Sequence, residues 1–128
     1  MLAMFTRAQG AKGFELSDRS IDARTQVVTI HGEVDLYDAP DIRRRIDELI
    51  DAGKTLQAID LTEARFVDST TVGVLLAAVM RLRLHDGRLA LACAEPAILE
   101  VFKTTGLDQF VAVRATTPQA LAALHEGR

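Results

Sequence analysis

Apolar residues follow two different periods along this chain, and the two periods alternate. Short runs rich in β-branched or aliphatic residues occur at "FELSD" (14–18), "VVTIHG" (27–32), "LQAIDL" (56–61), "RLALACA" (88–94) and "QFVAVRA" (109–115). Such runs predict β-strands. Between them, longer segments carry apolar residues at helical spacing, in "YDAPDIRRRIDELIDAGK", "TTVGVLLAAVMRLRLHDG", "AILEVFKTTGL" and "TPQALAALHEG".

The first of these helices has the clearest boundaries. Asp38 is a plausible N-cap, Pro40 suits the first turn, and Gly53 suits the C-terminal stop. One stripe of the helix is apolar at spacings i, i+4, i+7 and i+8: Ile42, Ile46, Leu49 and Ile50. The neighbouring Arg43–Arg45 triplet is expected on the solvated outer face.

Strands that alternate with helix-sized connections are typical of an α/β fold with right-handed crossovers. The short connection between the first two runs predicts an antiparallel hairpin. We therefore expect a mixed sheet of four to five strands, beginning with that hairpin, and about four helices packed mainly on one face. Residues 1–12 are interpreted as a flexible leader and residues 13–128 as one domain.

Composition narrows the classes of function. The chain has 128 residues, of which 48% are hydrophobic and 26% charged, as in a globular domain. Its net charge of −3 argues against direct nucleic-acid binding, which requires a basic excess. No apolar stretch approaches the roughly 20 residues of a spanning helix, so no membrane insertion is expected. The single cysteine, Cys93, excludes an internal disulfide, is consistent with a reducing compartment and is interpreted as a small core residue. With no spanning segment and no secretory signal, a cytoplasmic protein is expected.

Three loops follow the carboxyl ends of the central strands: "GEVDLYDAP", "TEARFVDST" and "CAEP". In α/β sheets this edge commonly carries the functional residues. Asp35, Ser69 and Glu95 are therefore predicted to be neighbours in space although they are far apart in sequence.

Ser69 has two interpretations, which are compatible. The simpler one is that it caps the following helix, because serine is a favoured N-cap. The other is that it carries a phosphate, because free N–H groups and the helix dipole favour an anion at a helix start. Such a phosphate would add about −1.5 to −2 charges and would mainly alter what the surface binds.

The segments "VTIHGEVDLYDAPDIRRRI", "IDLTEARFVDSTTVGVLL" and "GRLALACAEPAILEVFKTTGLDQFV" resemble the successive motifs of the STAS domain, specifically the bacterial anti-sigma factor antagonists. The resemblance covers about residues 14–124. Its most specific parts are G-E-V-D at residues 32–35 and D-S-T at residues 68–70, supported by T-G-L at residues 105–107.

This resemblance implies a regulatory binding protein. Such proteins bind an anti-sigma factor that is itself a serine kinase, and so release a sigma factor for transcription. The kinase phosphorylates the serine after the aspartate, which maps onto Ser69, and phosphate breaks the complex until a metal-dependent serine phosphatase removes it. Asp35 and Asp68 match family positions beside that serine. The partner-binding residues implied here are Gly32, Glu33, Asp35, Asp68, Ser69, Thr70, Thr71 and Glu95.

Thr71 departs from the family pattern, which usually has glycine at this position. It adds a second candidate acceptor, so phosphorylation at Thr70 or Thr71 stays an alternative to Ser69. It also leaves open a non-switched accessory subunit of the same fold, such as the partner of a lipid-transporter ATPase or a scaffold in stress signalling. A small-molecule sensor would require a pocket.

No sequence feature indicates an enzyme, a cofactor or a metal site. The three histidines show no ligand spacing, and neither a phosphate-binding P-loop nor a G-x-S-x-G motif occurs. Glu33, Asp35 and Asp68 are interpreted as solvated loop carboxylates and not as cation ligands.

Overall fold

The computed structural model describes residues 4–9 and 13–126, which form a mixed β-sheet with helices on both faces. The strands of this part are β1 (Met4–Gln9), β2 (Phe14–Ser20), β3 (Thr25–Glu33), β4 (Leu56–Asp60), β5 (Ala64–Phe66), β6 (Arg88–Ala92) and β7 (Ala112–Arg114). Its α-helices are α1 (Ala39–Asp51), α2 (Ser69–Arg83), α3 (Pro96–Thr105) and α4 (Thr117–Ala123), with a 3₁₀ turn at Leu107–Gln109. The helices in the described part of the chain all fall short of the length and apolarity that a membrane-spanning helix requires.

The sheet runs in the order β1-β2-β3-β4-β6-β7, and β5 pairs separately with the end of β3. β1 with β2 and β2 with β3 are antiparallel, while β3, β4, β6 and β7 are parallel neighbours. The predicted α/β class and the antiparallel β2–β3 hairpin are therefore confirmed. The five predicted strands are all present, and the described residues add β1 and β5 to them.

β1 lies within the segment that was predicted to be a flexible leader. Met4–Gln9 pair along their whole length with β2, from Met4 opposite Arg19 to Gln9 opposite Phe14. The leader prediction is therefore wrong for these six residues; residues 1–3 and 10–12 lie outside the described part of the chain. An edge strand is held by backbone hydrogen bonds, which any sequence except proline can make, so the apolar pattern gives little sign of it.

Helix α1 follows its sequence signals closely. Its predicted apolar stripe is buried against the sheet, Pro40 lies in the first turn, and Gly53 adopts φ +92° directly after the helix end. A residue with a Cβ rarely adopts this left-handed conformation, which is why glycine suits the stop.

The two faces of the sheet bury different residues. Phe14, Leu16 and Ile30 point to the face that α1, α2 and α3 cover. On the opposite face, small residues such as Ala58 and Ala90 let α4 approach the sheet closely. The period-2 alternation of the strands produces this division. The prediction that helices pack mainly on one face is confirmed, with α4 as the exception in the described fold.

The arginine triplet of α1 does not share one environment. Arg43 and Arg44 are exposed as expected, whereas Arg45 reaches across to β2. Its Nε lies 2.7 Å from Oδ2 of Asp18, whose side chain is only 1% exposed and also accepts from Gln26 Nε2 at 2.7 Å. The hydrogen bond to Asp18 raises the pKa of Arg45, against the opposing effect of burial. This ion pair fastens α1 to the hairpin.

Cys93 is buried directly after β6, which confirms its interpretation as a core residue. Burial raises the pKa of its thiol above the ordinary value. The thiol is therefore protonated near neutral pH and a poor nucleophile.

Candidate functional site

The G-E-V-D loop and the D-S-T loop run side by side because β5 joins them. The Gly32 N–H donates to the Glu63 carbonyl at 3.0 Å, and the Val34 N–H donates to the Phe66 carbonyl at 3.1 Å. β5 thus continues the sheet past the end of β4 and delivers the chain to the start of α2. The sequence run "ARF" is too short for its strand pairing to be visible from periodicity.

Asp68, and not Ser69, caps helix α2. The Asp68 backbone is extended, with φ −106° and ψ −178°, and its Oδ1 accepts a hydrogen bond from the Thr71 N–H at 3.1 Å. Ser69 is the first helical residue. The prediction that Ser69 is the cap is therefore wrong. Aspartate and serine are comparable N-caps, and here the Asp68 side chain accepts the N–H of Thr71, three residues further along the chain. The Ser69 side chain is left outside the capping interaction.

The hydroxyls of this segment differ in accessibility. Ser69 and Thr70 are exposed, whereas Thr71 is fully buried. Among the described residues, Thr71 Oγ1 has no hydrogen-bond partner. Burial of Thr71 disfavours it as an alternative phosphate acceptor and as a contact residue on the surface.

Gly32 is also buried, so it cannot offer a side chain or a broad surface to a partner. Its φ is +91°, and a Cβ at this position would lie 2.5 Å from the Gly13 carbonyl oxygen. Gly32 therefore shapes the G-E-V-D loop and lets two backbones approach closely. This geometry assigns Gly32 a structural role, and its predicted role as a contact residue stays a prediction.

The remaining acidic residues of this edge have distinct environments. Glu33 is exposed, and Asp35 is half-buried in a local turn, where its Oδ1 accepts from the Tyr37 N–H at 2.9 Å. The Asp35 N–H in turn donates to Asp38 Oδ2 at 3.1 Å. Burial, together with the nearby Asp35 charge, raises the pKa of Asp38, although the hydrogen bond from the Asp35 N–H opposes this. These bonds link residues 35–38 into a local turn.

Glu95 is exposed immediately before α3, and α3 lies close to β5. β6, which precedes Glu95, is parallel to β4, so Glu95 lies at the same carboxyl edge as Asp35 and Ser69. The structure thus places all three on one edge. Within residues 4–9 and 13–126, no group of three or more His, Cys, Asp or Glu side chains is arranged to hold a metal ion.

The sequence analysis missed a set of exposed apolar side chains at this edge. Leu36 is 55% exposed, Tyr37 82% and Phe66 52%. We call these three residues the apolar rim. Leu36 and Tyr37 lie in the turn directly after G-E-V-D, and Phe66 is the last residue of β5, directly before V-D-S. Their position beside these two motifs, outside any helical stripe, is the signal that could have identified them. Large exposed apolar side chains close together are typical of a protein-binding surface.

The chain matches the STAS domain family over residues 19–120. It is 31% identical to the "Anti-sigma-B factor antagonist" of Bacillus subtilis over 88 residues, which are 69% of this chain and 80% of that protein. It is 30% identical to the "Anti-sigma F factor antagonist" of Lysinibacillus sphaericus over 102 residues, which are 79% of this chain and 86% of that one.

Two solved structures of an anti-sigma factor antagonist, SpoIIAA, have the same fold. The unphosphorylated form superposes with a TM-score of 0.73 at 28% identity and covers 85% of this chain and 93% of that one. The phosphorylated form, from Bacillus, gives 0.67 at 26% identity, with 86% and 97% covered.

Proposed function

This chain belongs to the STAS domain family, and we propose that it acts as an anti-sigma factor antagonist switched off by phosphorylation of Ser69. It binds an anti-sigma factor that has serine kinase activity and thereby releases a sigma factor. A serine phosphatase restores the binding form. These partners give the protein a cytoplasmic role.

The observation that carries this proposal is the exposed Ser69 hydroxyl on the first residue of α2. Asp68 already caps the helix, so the serine oxygen is available for modification without loss of a structural bond. The first N–H groups of the 15-residue α2 and its dipole favour a phosphate there. The fold is therefore expected to tolerate the modified residue.

The surroundings of Ser69 explain how a tolerated phosphate could still block a partner. The apolar rim offers the surface that a partner would cover, and a phosphate of about −1.5 to −2 charges would have to be desolvated beside it. Asp35 and Asp68 on the same edge add like charge. Desolvation and repulsion both oppose docking. The phosphate thus acts on the interface and leaves the fold in place.

The buried position of Thr71 favours the switched role over a non-switched accessory subunit. The departure from the family's glycine adds no exposed hydroxyl, since the Thr71 side chain is enclosed in the fold. Ser69 and Thr70 are thus the hydroxyls of this segment that a kinase could reach.

The direct test is phosphorylation by purified anti-sigma kinases of the same organism, followed by mass mapping of the modified residue. We expect phosphate on Ser69 in the wild type, none in Ser69→Ala, and unchanged incorporation in the matched control Thr70→Ala. If phosphate is still incorporated in Ser69→Ala and is lost in Thr70→Ala, the modified residue is Thr70 and not Ser69. Absence of incorporation with every such kinase would favour the non-switched subunit.

A further inference from the structure

A cavity of about 390 Å³ lies at the opposite end of α2 from Ser69. It is open to solvent on one side and is lined by the last turns of α2, the start of β6, the chain leading into β7, and α4. Its volume is within the range of roughly 300–1,000 Å³ that small-molecule sites occupy. None of the residues implicated in the proposed switch lines it.

The strand pairing explains why this space exists. β6 and β7 pair from Ala90 opposite Ala112 onward, so β7 does not cover the first residues of β6. Phe110 ends the 3₁₀ turn with φ −111° and ψ −15°, which is a helical and not an extended conformation. The chain before β7 therefore diverges from β6 and leaves a gap at the sheet edge.

Apolar side chains form part of the walls of the gap, and they come from both faces of the sheet. Five aliphatic side chains form them: Val79, Leu89, Val111, Ala112 and Ala123. Two of these are alanines, which leave room where larger side chains would fill the space. This part of the cavity therefore suits a compact hydrocarbon or aromatic body.

Cationic side chains line the same cavity. Arg83 is exposed, and its guanidinium carbon lies 5.9 Å from the centre of the Phe110 ring. Arg88 also lines the cavity and is held by a hydrogen bond from its Nη1 to the Glu126 carbonyl. No acidic side chain is among the described residues that line it. Arg83 therefore presents a positive charge to the cavity, which is complementary to an anion.

We infer that this cavity binds a small amphipathic anion, with an apolar body between β6 and the Phe110–Val111 segment and an anionic head on Arg83. The head is a carboxylate or a phosphate monoester, since a guanidinium recognises both through charge-assisted hydrogen bonds. The aromatic ring of Phe110 holds the Arg83 side chain at the cavity. This site is independent of the phosphorylation switch proposed above.

The inference is tested by titrating the full chain with four probes while amide chemical shifts are followed by NMR. Octanoate and octyl phosphate carry the carboxylate and the phosphate on alkyl chains of similar length. Octanol has such a chain without the charge, and acetate has the charge without the long chain. We expect saturable shifts at Leu89, Val111 and Ala112 with one or both of the long-chain anions. Octanol should bind at least about fivefold more weakly, and acetate should not bind. The tighter of the two anions identifies the head group.

Two variants localise the binding. Arg83→Met keeps the apolar stem of an exposed side chain, and it should weaken binding of the anion about fivefold while leaving octanol unchanged. Ala112→Leu should weaken every probe by filling the gap. Ser69→Ala should bind the probes as the wild type does. A failed probe titration would therefore overturn this inference without affecting the proposed phosphorylation switch, and the reverse also holds.

Four outcomes would overturn the inference. They are shifts without saturation, shifts confined to the apolar rim, equal affinity for octanol and the anions, and anion binding that Arg83→Met leaves unchanged.

Discussion

Replacing Asp68 by alanine tests whether the fold depends on this residue or on its neighbour Ser69. The substitution removes the Oδ1 that accepts the Thr71 N–H at 3.1 Å. Loss of an aspartate N-cap costs about 0.5–2 kcal/mol. Thr71 is fully buried, so water can replace the lost acceptor only in part. We therefore expect the upper half of that range, about 1.5 kcal/mol of unfolding free energy.

Two companion variants isolate the carboxylate. Asp68→Asn keeps an acceptor oxygen at the same position and should recover most of the loss. Ser69→Ala removes an exposed hydroxyl that plays no part in the cap, and surface changes of this kind usually stay within about 0.5 kcal/mol.

The assay is urea unfolding followed by circular dichroism, supported by thermal melts. A loss of about 1.5 kcal/mol should lower the melting temperature of a domain of this size by about 5 °C. If Ser69→Ala costs as much as Asp68→Ala, the serine supports the helix, and a phosphate on it would disturb the fold and not only the surface. That result would refute the reasoning behind the switch.

The same unfolding assay checks three further predictions. Arg45→Met leaves the Asp18 carboxylate, whose side chain is 1% exposed, without its cation, and it should cost about 2–3 kcal/mol of unfolding free energy. The exposed control Arg44→Met should cost little, and equal losses in the two variants would show that the Arg45–Asp18 ion pair contributes nothing. Thr71→Val removes a buried hydroxyl that has no hydrogen-bond partner among the described residues, and it should stabilise by about 1 kcal/mol; a loss of that size would reveal a partner. Gly32→Ala forces a Cβ to within 2.5 Å of a backbone oxygen at φ +91° and should cost at least about 2 kcal/mol, and a neutral result would contradict the close approach.

The sequence predicted the parts of the fold whose signals are local. Ile42 and Ile46 mark α1 because one helical turn brings them onto the same buried face. Val27 and Val28 mark β3 because alternate residues face the two cores. Each of these patterns lies within one element, so it can be recognised without knowledge of the rest of the chain.

The features that were missed depend on partners distant in sequence or on a choice between near-equal residues. Arg45 is fixed by Asp18, which lies 27 residues away. β5 exists because the end of β3 offers it hydrogen bonds. Asp68 and Ser69 are both good caps, and only the backbone geometry decides between them.

The sequence predicted the sheet edge on which the candidate site residues lie, and it predicted their exposure only in part. Ser69 and Glu95 are exposed on the predicted edge, whereas the buried Thr71 faces the interior. Burial within the first turn of a helix depends on how the helix lies against the sheet. Sequence spacing alone does not give that orientation.

The central claim is that an anion on Ser69 leaves the fold intact and prevents docking. Its most direct test is isothermal titration of the partner anti-sigma kinase with the unmodified chain, the Ser69-phosphorylated chain, and the matched variants Ser69→Asp and Ser69→Asn. All four should unfold at similar urea concentrations, because α2 keeps its Asp68 cap. We predict that phosphate weakens binding at least tenfold, about 1.4 kcal/mol or more, and that Asp weakens it more than Asn. Equal affinity of the phosphorylated and unmodified chains would contradict the account.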